Sequence, residues 1–159
     1  MRWIEFEEDA PELAGLVRQR FDATELVMMG TLRPNGWPRI SPIEFTYWDG
    51  DFVLGGMWQS KKFQDVMRDN RVTLHSTTTN KNGQEGDVKI YGRVHPLAEE
   101  RIEPYWQHIF TLLNWRPAGP AHVYTLDVEE GSYARFEADG TMRWLTWPGN
   151  EWHTQKAGG

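Results

Sequence analysis

Apolar positions along the chain repeat at two spacings, and the switches between them predict its elements. Asp9 and Glu12 stand at capping-box spacing with Pro11 in the first turn. Leu13, Leu16, Val17 and Phe21 follow at helical intervals, so a helix is expected over about 11–20, lying against a sheet. The Leu, Val and Met run at 25–31 reads as a first buried strand, and Pro34-Asn35-Gly36 as the turn after it. A return strand follows at 39–48, rich in β-branched and aromatic residues and interrupted only by Pro42. Because proline has no N–H for the ladder, Pro42 predicts an edge or a bulge where backbone groups could face a ligand. Asp49-Gly50 is a second hairpin turn and 52–57 the third strand, with Gly55-Gly56 allowing a close approach to its backbone.

Ser60 is a favourable N-cap, and Phe63, Val66 and Met67 recur at helical spacing, so a short helix is expected over 60–70. Strands at 71–77 and 88–94 flank a polar loop of low order at 78–87. Ile102, Trp106, Ile109, Phe110 and Leu113 make the apolar stripe of a helix at 99–113, broken by 114–120. Three strands are expected at 121–129, 132–138 and 141–147, the last two joined by Asp139-Gly140. The tail from Pro148 is polar and Gly-rich, with Trp152 placed to dock. Short strands joined mostly by hairpins, with helices between them, predict a mainly β chain with inserted helices, built as a small antiparallel barrel.

Composition narrows the partners. A length of 159 residues suits one domain, and the lack of cysteine removes disulfides, thiolate metal sites and a cysteine nucleophile. No basic, apolar leader and no apolar run near the length of a membrane span is present, so a cytoplasmic protein away from membranes is expected. A formal charge of −6 disfavours general nucleic-acid binding, which needs a basic face. Nine tryptophans suit a core, a subunit interface or a flat ligand.

Most motif chemistry is excluded. The five histidines lack metal-ligand spacing, and no HExxH, EF-hand, GxSxG, P-loop or GxGxxG pattern occurs. Glu44, between Ile43 and Phe45, is expected by alternation on a solvent or pocket face, and His75 could either face a ligand or sit satisfied in its sheet. What remains is Ser60-Lys61-Lys62. Two cations in a first helical turn oppose the helix dipole, so they either point into water or, with the serine hydroxyl and free N–H groups, form a phosphate cradle.

An ordered set of short motifs carries a resemblance. Met29-Gly30-Thr31-Leu32, Asn35-Gly36, Pro38 to Ile43, Asp49-Gly50, Leu54-Gly55-Gly56, Ser60-Lys61-Lys62, Arg68 to Val72 and Tyr91-Gly92-Arg93 together resemble the pyridoxamine phosphate oxidase-like flavin-binding family. The resemblance implies a split β-barrel that dimerises with itself and holds FMN, or in related branches a deazaflavin, in clefts between subunits. It would place Ser60, Lys61 and Lys62 on the cofactor phosphate, and Arg39, Ile40, Ser41 and Pro42 on phosphate and ring. Gly55, Gly56 and Met57 would pass close to the cofactor, and Asp87 would add a polar ring contact.

Two departures bear on activity. Glu44 stands where the strict oxidase has a basic residue, and the strict oxidase's C-terminal Arg-x-His motif is missing from the tail. Oxidation of a dianionic substrate is therefore not expected, since it needs its own cationic cradle. The resemblance implies instead a flavin- or deazaflavin-dependent oxidoreductase passing hydride to or from a small conjugated or aromatic substrate, with no catalytic side chain singled out. Trp106 and Trp147 are candidates for the dimer seam or for the wall above the ring, with core packing the alternative. The rival expectations are a non-catalytic protein that stores or senses flavin, a haem-binding relative using a histidine, and an empty barrel serving as an interaction domain.

Overall fold

The expected strands close into a barrel through one extra pairing. In the computed structural model, which describes residues 1–156, the wall is formed by β1 (Leu26–Leu32), β2 (Pro38–Trp48), β3 (Asp51–Met57), β4 (Arg71–Ser76), β5 (Asp87–Pro96) and β6 (Ala121–Phe136). They are antiparallel neighbours in the order β3-β2-β1-β4-β5-β6, and β3 also pairs with β6, which completes the circle. β7 (Thr141–Trp147) and β8 (Glu151–Lys156) continue the sheet beyond β6 as a hairpin.

The wall nevertheless parts at one place. β2 pairs with β3 only from Phe45↔Leu54 to Trp48↔Asp51. The first half of β2 pairs with β1 alone, and Gly55, Gly56 and Met57 of β3 go over to β6. The helix α3 (Lys61–Arg68) begins between the two diverging runs. Pro42 lies on the half of β2 that has a single neighbour, where its missing N–H costs nothing.

Inward positions alternate along each strand. Val27, Met29, Phe52, Leu54, Leu74, Ile90 and Leu126 belong to one core with Trp3 and Phe6 of α1 (Trp3–Asp9) and Leu13, Val17 and Phe21 of α2 (Pro11–Asp22). A second, smaller core lies outside the barrel, where Tyr105, Trp106 and Ile109 of α4 (Glu99–Leu113) cover Val53 and Val123. β3 is thus buried on both faces at its centre, so its pattern reads as a continuous apolar run.

Several expectations need correcting. Asp9 does not cap the second helix: it ends α1, and its carboxylate accepts the Trp147 indole N–H at 2.6 Å, while Ala10 holds the cap position. Glu12 likewise accepts the Trp152 indole N–H at 3.0 Å rather than closing a capping box, so Trp152 does dock. The stretches expected as two strands at 121–129 and 132–138 form a single β6. It passes through the Glu129-Glu130-Gly131 run on a bulge opposite Tyr91 and Gly92. The tail adds β8, entered through Gly149 and Asn150 at positive φ. The loop after β4 is ordered by the Glu85 carboxylate, which accepts the N–H groups of Thr79 and Asn80 and pairs with Arg20. Met67 is half exposed and lies outside the core.

Candidate functional site

The corner between β3 and α3 gathers cations around unsatisfied polar groups. Met57, Trp58 and Gln59 turn the chain, Gln59 at φ 57°, and Ser60 takes the N-cap position in extended conformation. It does not cap. No side chain bonds the first turn of α3, no acidic residue lies in that turn, and the Ser60 Oγ is enclosed without a hydrogen-bond partner. An enclosed hydroxyl without a partner costs about 1–3 kcal/mol, so the corner suits an incoming acceptor. Lys62 donates from Nζ to the Pro42 carbonyl oxygen at 2.5 Å, and Lys61 approaches the Gln64 amide oxygen at 3.4 Å. Burial pushes the Lys62 ammonium below its usual value, against the nearby Glu44 charge that holds it up. A bound anion would relieve that penalty.

Two internal contacts hold the corner. The Gln64 side-chain amide donates to the Gln59 carbonyl at 2.9 Å, and the Gln59 N–H donates to His122 Nε2 at 3.0 Å. His122 is stacked between Trp58 and Phe63, with ring centroids at 4.5 and 4.7 Å. Burial lowers its pKa, which keeps Nε2 free to accept.

Arg39 is turned away from solvent chemistry. Its Nε donates to Asp65 Oδ2 at 2.6 Å, and the Thr31 hydroxyl donates to the same oxygen at 2.9 Å. Asp65 is buried on α3; burial alone would raise its carboxyl, but the Arg39 and Thr31 hydrogen bonds, with the Arg39 and Arg68 charges, hold it below the ordinary range. This pair ties α3 to β1 and β2.

The remaining expected residues are divided between two places. Ile40 and Pro42 stand exposed on the outer face of β2, Ser41 is half-buried, and Glu44 continues the exposed face. Gly55 and Gly56 run past the corner, but the space over Gly56 is occupied by the chain itself. A Cβ there would lie 2.3 Å from the Phe63 ring, whereas at Gly55 the nearest atom is the Tyr105 hydroxyl at 3.8 Å. Met57 is exposed. Asp87 is not brought to the corner. The lateral register Pro42↔Met28↔His75↔Lys89 puts β1 and β4 between it and β2, roughly 14 Å along the sheet at three strand spacings. There it pairs with Lys89 and lies 3.6 Å from His75, whose Nδ1 is 2.6 Å from its neighbour's carbonyl.

Beyond the glycines opens a cavity of about 970 Å³, between the outer side of β2 and β3, α4 and residues 115–121. Its walls include Trp58, Tyr105, Trp106, Ile109, Leu113 and Trp115, and its charged lining residues are Asp22, Glu25 and Glu44. Burial raises the Tyr105 hydroxyl, with Glu44 adding to the effect and a Thr46 hydrogen bond opposing it. Trp106 packs in the outer core and lines this cavity, while Trp147 lies in the inner core, 5.1 Å from Phe6. Sequence reading missed Trp58, His122 and Asp65, because their partners lie on other elements and no local spacing marks them. Among the described residues no group of acidic residues and histidines could hold a metal ion, and no helix is long and apolar enough to cross a membrane.

Known proteins agree on the architecture. No curated protein sequence matches the chain significantly. Solved structures do resemble it. PhzG from Burkholderia lata 383, in complex with tetrahydrophenazine-1-carboxylic acid, superposes with a TM-score of 0.65 at 16% identity over 96% of this chain and 95% of its own. A NimC/NimA family protein from Clostridium acetobutylicum gives 0.62 at 15% identity over 89% and 97% of the two chains. A haem-binding protein from Mycobacterium smegmatis gives 0.60 at 16% identity over 92% of this chain and 58% of its own. At these identities the likeness is one of fold. The sequence model described as pyridoxamine 5'-phosphate oxidase matches residues 13–135, which span the barrel from α2 to β6, and the chain therefore belongs to that family.

Proposed function

We propose that the protein is a flavin-dependent oxidoreductase whose Ser60 corner holds the phosphate of FMN or of a deazaflavin. The observation that carries the reading is the enclosed, unpartnered Ser60 Oγ at an uncapped helix start beside Lys61 and Lys62. Ser60 would donate its hydroxyl proton, the first N–H groups of α3 would point at the phosphate oxygens, and the two ammonium groups would neutralise them. Lys62 would trade its Pro42 contact for part of this load, and Ile40, Ser41 and Pro42 would border the cofactor from β2. The bound flavin would supply hydride transfer, and the protein would orient it and keep water away.

The adjoining aromatic cavity, with Met57 and Trp58 at its border, would receive a small substrate. Its exposed apolar rim, including Leu112, Leu113 and Trp115, fits burial against a second copy, as in a homodimer with the cofactor at the interface. Asp87, remote within one protomer, would have to act there from the partner. His122 favours flavin over haem, because the Nε2 of this buried histidine is already engaged by the Gln59 N–H.

Titration of the purified protein with FMN and with a deazaflavin, followed by flavin fluorescence and by light scattering for mass, tests the reading. Micromolar or tighter binding to a dimer is expected, with reduction by a nicotinamide or deazaflavin donor and turnover of an aromatic acceptor. Failure to bind either cofactor overturns it, and binding without turnover under any donor leaves a storage or sensing protein.

A further inference from the structure

The charge around the cavity is one-sided. Its lining residues include three carboxylates, Asp22, Glu25 and Glu44, and no lysine, arginine or histidine. The carboxylates border rings: Trp58 and Trp115 are each half exposed, Trp106 is nearly buried, and Tyr105 lies over Gly55. The electron-rich faces of indoles attract cations, and most strongly when water is partly excluded. Both features favour the same sign of ligand charge.

Glu44 is the carboxylate best placed to read it. Its neighbours in the alternation, Ile40 and Pro42, share the exposed outer face of β2, so Glu44 stands two residues beyond the Pro42 carbonyl that meets Lys62. Among the described residues no salt bridge forms to it, and its charge reaches Lys62 only through space. Asp22 and Glu25 also line the cavity, and burial with the Glu25 charge raises the Asp22 carboxyl while Arg18 opposes the rise.

We propose that the cavity selects a flat aromatic molecule carrying positive charge, and that Glu44 is the specificity-determining residue. As a statement about substrate this rests on the flavin reading, but as a statement about binding it rests on the cavity alone. A fixed carboxylate a few ångströms from a bound charge, in surroundings intermediate between water and protein interior, changes affinity on the order of tenfold.

The test uses three probes of one shape on the intact protein, with and without FMN: N-methylquinolinium, quinoline and a quinolinecarboxylate. Tryptophan quenching and calorimetry at low salt give their affinities. The cation is expected to bind about tenfold or more tighter than the carboxylate, with quinoline between them. Glu44→Gln should shrink the gap and Glu44→Lys should reverse it. Thermal melts confirm that both variants fold, and if the lysine variant does not, the glutamine variant decides. Equal or inverted affinities in the native protein, no binding of any probe, or an order unmoved by substitution overturns the proposal. FMN titrated into the same samples separates the two ideas: probe selectivity without flavin binding defeats only the flavin reading, and flavin binding without selectivity defeats only this one.

Discussion

The two ends of the site are made of opposite materials. At the corner a short helix start offers cations, free N–H groups and a hydroxyl without a partner, all within reach of a strand edge. Under α4 the walls are rings and the charges are carboxylates. Gly55 and Gly56 border both, and two residues of β2, Pro42 and Glu44, separate the contact to a cation from the repulsion of an anion by about 7 Å. A site with a cationic end and an acidic end can hold an anionic cofactor in one fixed direction while admitting a different charge beside it. On the proposed reading, local polarity, more than overall charge, would set what the protein binds.

The comparison breaks hardest where both ends share a support. Gly56→Val drives a side chain into Phe63, and overpacking of this kind should cost about 3 kcal/mol, read as a lower urea midpoint with both binding activities reduced. The double variant with Phe63→Ala should lose less than the sum of the two. Lys61→Ala with Lys62→Ala should weaken FMN on the order of 100-fold, close to 2.7 kcal/mol, yet leave the melting temperature and the order of the aromatic probes nearly unchanged. If probe order changes as much as FMN affinity, the two ends are one site.

Asp65→Asn leaves Arg39 without its carboxylate and should destabilise the fold by about 2 kcal/mol. Because the native carboxyl is held below its ordinary value, its stabilisation is complete above the ordinary carboxylate range, near pH ~4, and drains away as the pH falls through the depressed value. The asparagine variant should lack that part of the acid slope in denaturant melts. The smallest effect is expected from Ser60→Ala. It removes a hydroxyl that has no partner in the free protein, so FMN affinity should fall about fivefold, roughly 1 kcal/mol, with stability unchanged or slightly raised.

The corner was legible in the sequence because its anomaly is local. Two lysines directly after an N-cap serine contradict the helix dipole within three residues, and Pro42 marks the unpaired edge beside them. Strands β1 to β3 were legible because turn residues at Asn35-Gly36 and Asp49-Gly50 punctuate them. The cavity was not, since its walls come from β2, β3, α4 and residues 115–121, and no spacing reports which outer residues meet. Helix α1 went unread although Arg2 and Glu5 carry its capping contact, a 2.8 Å bond from the Arg2 N–H. β6 was split in two because charges and a glycine imitate a loop. Its bulge at Glu129 and the close approach of Gly92, whose Cβ would lie 2.1 Å from the Asp127 carbonyl oxygen, absorb the irregularity instead.

That unbroken strand has a dynamic consequence. At its start His122 braces the corner and Ala121 touches the cavity; further along, Gly131 pairs with Trp147, whose indole is fastened to Asp9. Both candidate regions thus lean on the first two residues of a 16-residue strand. Amide exchange along β6 should be among the slowest in the chain and should slow further at its start when either region is filled.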